Sequence, residues 1–117
     1  MLTDDELAAI RTLDITTYGR RSGQPRRIEI WWFRIDGRFI ITGTPGPRDW
    51  FANLVADPRI IIHAGGVDHP GTAVPVTDEA FRRAVFTDEQ TGWYNDQSEL
   101  DTLVDTAPMV EITLDRS

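Results

Sequence analysis

The chain contains no cysteine and no lysine. The first absence removes disulfides, thiolate metal sites, iron-sulfur clusters and cysteine nucleophiles. The second removes Schiff-base chemistry and the lysine of a phosphate-binding loop, so all twelve basic residues are arginine. Histidine is scarce: His63 and His69 are the only two, six positions apart across a strand and a glycine loop. That spacing does not suit a metal, and no metal site is expected. The three serines, Ser22, Ser98 and Ser117, lie outside any nucleophile-elbow sequence. Neither GxGxxG nor GxxxxGK[ST] occurs. No apolar run approaches the ~20 residues that span a bilayer. The opening MLTDDELAAIRTL carries three acids and lacks the basic start of a secretory leader. A soluble, cytoplasmic protein with no integral membrane segment is the expectation.

What remains is ordinary globular material. The chain has 117 residues, 40% of them hydrophobic and 26% charged, so one domain over residues 1–117 with one core is expected. The net charge of -7 is uneven: residues 1–60 hold nine arginines against eight acids, and residues 61–117 hold three against eleven. An acidic protein without an extended basic face argues against nucleic-acid binding. Against this background Arg20, Arg21, Arg26 and Arg27 put four positive charges into residues 19–27 with no acid among them.

Local patterns place the elements. Thr3 and Glu6 form a capping box and Leu2 and Leu7 a staple, predicting a helix over about 1–12. Leu13 to Tyr18 reads as a strand and GRRSGQP as a loop. The pattern RIEIWWFR predicts a strand from Arg27 to Arg34, Asp36-Gly37 a tight hairpin, and Arg38 to Thr42 its return. Gly43 to Pro47 is a loop, with Pro47 as the first residue of a helix to about Asp57. Arg59 to Ala64 is a strand, Gly65 to Gly71 a loop, and Thr72 to Val76 a strand interrupted by Pro75. Asp78 caps a helix to Phe86; residues 87–106 are ambiguous, with a helix over part of them; Pro108 to Leu114 is a last strand. Strands with a few inserted helices and no regular βαβ alternation predict an α+β, mainly β, antiparallel sheet or barrel.

The run Ile15-Thr16-Thr17-Tyr18-Gly19-Arg20-Arg21-Ser22-Gly23-Gln24-Pro25-Arg26 resembles the "TTxGR[KR][ST]GxPR" opening of the deazaflavin-dependent nitroreductase family, actinobacterial split-barrel proteins. Trp50-Phe51-Ala52-Asn53-Leu54 before Ala56-Asp57-Pro58 is similar to that family's "W[YFL]xNLxAxP" helix, and residues 105–111 to its closing strand. The resemblance implies a split β-barrel of the FMN-binding-like type with inserted helices. It implies an oxidoreductase that binds coenzyme F420 and transfers hydride to a small-molecule acceptor such as a quinone, nitro compound or enone. FMN is the alternative cofactor, and a non-catalytic cofactor carrier the alternative role. A monomer or homodimer is expected. The segment Gly43-Thr44-Pro45-Gly46-Pro47-Arg48 is shorter than the family's "SKGG" region and lacks its lysine.

Chemistry and resemblance together nominate the site. Arg20, Arg21, Ser22 and Arg26 offer guanidinium forks and a hydroxyl to a phosphate, the bland alternative being a solvated hairpin with salt bridges. Alternation puts Arg27 on the face opposite Arg26, free to pair with a neighbouring acid. Trp50 and Asn53, three apart near a helix start, project from one face toward a ligand, although Trp50 also reads as a core anchor. Gly43, Thr44 and Gly46 present backbone N–H groups and a hydroxyl to a planar ring. Trp31, Trp32 and Phe33 read as barrel wall. Trp93 and Tyr94 are nominated as an acceptor lid beside Trp50, with Tyr94 as the proton donor.

Overall fold

The structure, a computed structural model, describes residues 2–115. In chain order it consists of α1 (Asp4–Ala8), β1 (Thr12–Tyr18), β2 (Pro25–Ile35), β3 (Arg38–Thr42), α2 (Asp49–Ala56), β4 (Arg59–Ala64), β5 (Val67–Pro75), α3 (Glu79–Thr87), a 3₁₀ segment (Glu89–Asp96), α4 (Leu100–Thr106) and β6 (Met109–Leu114). The strands pair antiparallel in the order β1-β2-β3-β6-β5-β4, and β4 returns to β1 to close a barrel. This is the mainly-β barrel with inserted helices that the sequence predicts.

Alternation along the strands builds two cores. Leu13 and Ile15 of β1, Trp32 of β2, Phe39 and Ile41 of β3, Ile60 and Ile62 of β4, and Val110 and Ile112 of β6 point into the barrel. The odd residues Phe33 and Ile35 of β2, with Ile40 and Met109, point out and meet Phe81, Val85, Phe86, Tyr94 and Leu103 of the segments that cover this wall. Each such side chain contributes about 1.5–3 kcal/mol when fully buried, so the strands between the two cores are the best anchored. Both barrel ends are plugged: Leu7 of α1 enters one, and Trp50 and Leu54 of α2 enter the other.

The departures from sequence expectation have local causes. α1 carries the predicted capping box but ends at Ala8. Trp32 explains the early stop: its indole N–H donates to the Ile10 carbonyl, and its backbone N–H to that of Arg11, drawing residues 10–11 to β2. Helix α2 starts at Asp49 rather than Pro47, with Arg48 as N-cap. The predicted loop from Gly65 to Gly71 is mostly strand: the turn is only Gly65-Gly66, and β5 runs from Val67 through Pro70. Pro70 is tolerated opposite Ile61, and Gly71 is needed because a Cβ there would run into the Thr113 carbonyl of β6. Asp36 and Gly37 form the predicted hairpin turn, both at positive φ, 52° and 76°.

One asymmetry of β2 positions the site. Residues 25–31 pair with β1 along one edge, whereas β3 pairs only with residues 32–35. The N-terminal half of β2 therefore extends past β3 as one arm of the β1–β2 hairpin, exposed from Pro25 to Glu29.

Candidate functional site

Beneath that arm, at the end plugged by α2, lies a cleft of about 460 Å³ lined by Thr17, Gly19, Arg20, Arg21, Ser22, Arg26, Ile28, Asp49, Trp50 and Asn53. Its geometry follows from the strands. Thr17 and Arg26 are cross-strand partners, as are Ile15 and Ile28, so Arg26 and Ile28 continue the barrel's inward face beyond the point where the core stops. The tip is a tight loop, with Gly19 N–H donating to the Gln24 carbonyl at 2.9 Å and Gly23 N–H to the Gly19 carbonyl at 2.8 Å. Ser22 Oγ accepts from the Gln24 N–H at 3.1 Å, which fixes the hydroxyl within the loop.

Helix α2 ties this loop down. Asn53 is buried, and its Oδ1 accepts from the Arg20 backbone N–H at 3.1 Å and from Arg20 Nη1 at 2.9 Å. Arg20 Nη2 stands 3.5 Å from the exposed Asp49 carboxylate in the first turn of α2. Arg20 is thus committed to the protein. Arg21 and Arg26 have no hydrogen-bond or ion-pair partner among the described residues, so the cleft holds two uncompensated guanidinium groups. Arg27, on the opposite face, donates to Asp14 at 2.9 Å as alternation implies.

The nominated residues divide accordingly. Arg20, Arg21, Ser22, Arg26, Trp50 and Asn53 come together around one cleft. Trp50 lines the cleft and also anchors the barrel core. Gly43, Thr44 and Gly46 are not among the lining residues. Arg48 folds back over this loop, its Nη2 donating to the Thr44 carbonyl at 3.0 Å and to Thr44 Oγ1 at 2.9 Å.

Tyr94 and Trp93 are also outside the lining. Tyr94 is 3% exposed, set edge-on between Phe33 and Phe86, with its hydroxyl 3.4 Å from the Thr42 carbonyl. Burial pushes its pKa up to about 12. The expected proton donor is thus a core residue of the outer wall, a placement that the helical cover dictates and that its polar sequence context concealed. Trp93 stacks on Tyr94 and meets Trp31 edge-on at 5.4 Å on the outer surface.

The two histidines stand on adjacent strands but opposite faces. His63 Nδ1 contacts Asp68 Oδ1 and its Nε2 contacts Thr16 Oγ1, each at 2.7 Å, whereas His69 points inward with Nε2 unpartnered. Four lining residues, Thr17, Gly19, Ile28 and Asp49, were not among those nominated. Thr17 and Ile28 were legible in the strand alternation with Arg26, and Asp49 in its place at the start of a helix.

A closed six-stranded antiparallel barrel with a cationic cleft at one end is the scaffold on which the family assignment falls. The chain matches the F420H(2)-dependent quinone reductase family over residues 5–110 and belongs to it. It is accordingly an F420-linked reductase, with coenzyme F420 as its cofactor. Solved structures share the fold at low identity. An F420-H2 dependent reductase superposes with a TM-score of 0.64 at 18% identity, covering 88% of this chain and 94% of that one. A FAD-binding protein from Mesorhizobium loti gives 0.62 at 18%, covering 94% and 85%. A conserved hypothetical protein from Mycobacterium tuberculosis gives 0.66 at 18%, covering 99% and 82%. Among the described residues no helix is long and apolar enough to cross a membrane.

Proposed function

We propose that the chain holds the reduced deazaflavin with its anionic arm against Arg21 and Arg26 and reduces a small electrophilic acceptor of the quinone, nitro or enone type. The observation that carries this reading is the pair of partnerless guanidinium groups in a cleft whose third arginine is already neutralised. Uncompensated cations on a chain of net charge -7 call for an anion, and guanidinium forks suit phosphate and carboxylate oxygens bidentately. The cofactor's chemistry is hydride donation from its reduced ring.

The protein's part is positioning. Arg21 and Arg26 hold the acidic arm, and Asn53 keeps Arg20 and the loop backbone in register with α2. Asn53 Oδ1 is occupied by Arg20, which leaves its Nδ2 as a donor at the cleft wall. Trp50 offers an apolar face, and the Thr17 hydroxyl a further polar contact. With no titrating side chain assigned to proton delivery, solvent reaching the open cleft is the proton source for the reduced acceptor.

The test is fluorescence titration of coenzyme F420 and of FMN, separately, into the protein, followed by turnover of the reduced deazaflavin with a quinone, a nitroarene and a conjugated enone. Saturable F420 binding with acceptor-dependent oxidation is expected. Binding of FMN in preference to F420 would move the chain to flavin chemistry, and F420 binding without oxidation by any acceptor would make it a carrier.

A further inference from the structure

Among the described residues, one edge of the exposed β2 arm is unpaired. Trp32 N–H donates toward β1, to the Arg11 carbonyl. Alternation then turns the N–H and C=O groups of residues 26, 28 and 30 toward β1 as well, and those of Arg27 and Glu29 toward the opposite edge. On that side β3 stops at Thr42, its last pair with β2 being Trp32 and Ile41. Among the described residues no loop backbone or side chain bonds to the Arg27 or Glu29 main chain. The arm also carries exposed apolar side chains: Ile28 is 38% exposed and Trp31 41%, with Trp93, 38% exposed, packed against Trp31. A free ladder edge flanked by exposed apolar groups is a template for another strand.

The edge's own sequence selects the strand. We infer that the arm pairs antiparallel with the same arm of a second copy of this chain, about a two-fold axis through Ile28. Only three registers join the free groups symmetrically. One centred on Arg27 opposes like cations, and one centred on Glu29 opposes like anions; both are unfavourable for directly facing residues. The register centred on Ile28 sets Arg27 against Glu29 of the partner subunit twice over, engages the free N–H and C=O groups, and packs Ile28 on Ile28 of the partner subunit. Glu29 has no ion-pair partner among the described residues, and this pairing supplies one. The same register brings Pro25 of the partner subunit opposite Trp31, over the exposed Trp31–Trp93 pair.

The arrangement reaches the site. A two-fold axis perpendicular to the strands keeps inward faces on one side of the joined sheet, so the partner's Ile28 extends the cleft floor beside Ile28. The dimer thereby lengthens an apolar wall next to the cationic end of the cleft. This goes beyond the cofactor reading and is tested without cofactor.

The chain's lack of cysteine makes single introduced thiols unambiguous. Directly opposed residues of a non-hydrogen-bonded pair have Cα atoms about 4.5 Å apart, inside the range of about 4.4–6.8 Å that a disulfide spans. Ile28→Cys should therefore crosslink to a covalent dimer under mild oxidant roughly ten-fold or more faster than Arg27→Cys or Glu29→Cys on the same exposed arm. Faster crosslinking at either flanking position would overturn the register, and equal slow rates at all three would overturn the interface. Independently, Glu29→Arg and Arg27→Glu should each be monomeric by sedimentation at concentrations where the wild type is dimeric, and should recombine as a heterodimer when mixed. A monomeric wild type, or variants that stay dimeric alone, would also reject the pairing.

Discussion

Consider replacing Arg26 with alanine. In the ligand-free protein its guanidinium has no described partner, so truncation removes solvated surface and little else. Substitutions of that kind fall within about 0.5 kcal/mol of neutral, which for a chain of this size is a shift in melting midpoint of roughly 2–4 °C at most. With an anion bound, the same truncation removes charge-assisted hydrogen bonds contributing about 1.5–3 kcal/mol, a rise in Kd of roughly ten-fold to a hundred-fold at about 1.4 kcal/mol per decade. Arg27→Ala is the internal control. It removes the same charge one residue away, but from the opposite face, where the side chain is engaged with Asp14. Calorimetric titration of coenzyme F420 into wild type and both variants, at two salt concentrations, separates contact from general field: Arg26→Ala should lose most of its affinity and show a flatter salt dependence, while Arg27→Ala should bind nearly as the wild type does. Equal weakening by both would show that only net charge matters. A large fall in the melting midpoint of ligand-free Arg26→Ala would reveal a structural role that the cleft geometry denies.

Three further outcomes follow from other parts of the molecule. Asn53→Leu should weaken cofactor binding roughly ten-fold by releasing Arg20, whereas Asn53→Asp, which keeps an acceptor for both Arg20 donors, should lose less in the same titration. Arg82 is 8% exposed, its pKa lowered by burial, and donates to the carbonyls of Val76, Leu103, Val104 and Ala107; Arg82→Met should cost about 2–4 kcal/mol in urea denaturation by orphaning those acceptors. Tyr94 has a folded-state pKa near 12, above its ordinary value of 10.0. Its unfolded form therefore loses the proton first, and stability present below pH 10 should decline by about 1.4 kcal/mol per pH unit until the folded pKa is reached. Tyr94→Phe should flatten that alkaline limb in pH-dependent melting and leave turnover within about two-fold, since the residue does not line the cleft.

The arginines that line the cleft were more legible in the sequence than the cleft's shape. Short-range rules sufficed for the Thr3–Glu6 capping box, the Asp36-Gly37 turn and the arginine loop, because each is settled within a few residues. β5 was hidden because His69-Pro70-Gly71 reads as a loop locally; only the close approach of β6 makes a glycine strand favourable there. Tyr94 was misjudged for a similar reason. Its neighbours are polar, and the apolar pocket that claims it needs Phe33, distant in sequence, beside Phe86 of the preceding helix. Thr44 lies outside the cleft lining and accepts from Arg48, a contact four residues away that no motif announces. The bare edge of β2 depends on where β3 ends relative to β1, which is a property of pairing and not of any single segment.

The two cores also have a consequence for how this scaffold changes over generations. The C-terminal half of β2 is held on both faces, by Trp32 inside and Phe33 outside, whereas the N-terminal half contributes only Ile30, packed against the inner core. Side-chain changes from Arg20 to Glu29, Gly23 at φ 70° excepted, therefore put little of the barrel at risk, whereas changes from Trp32 to Ile35 cost stability before they can alter chemistry. One strand thus carries both the most restrained and the most inventive stretch of the chain.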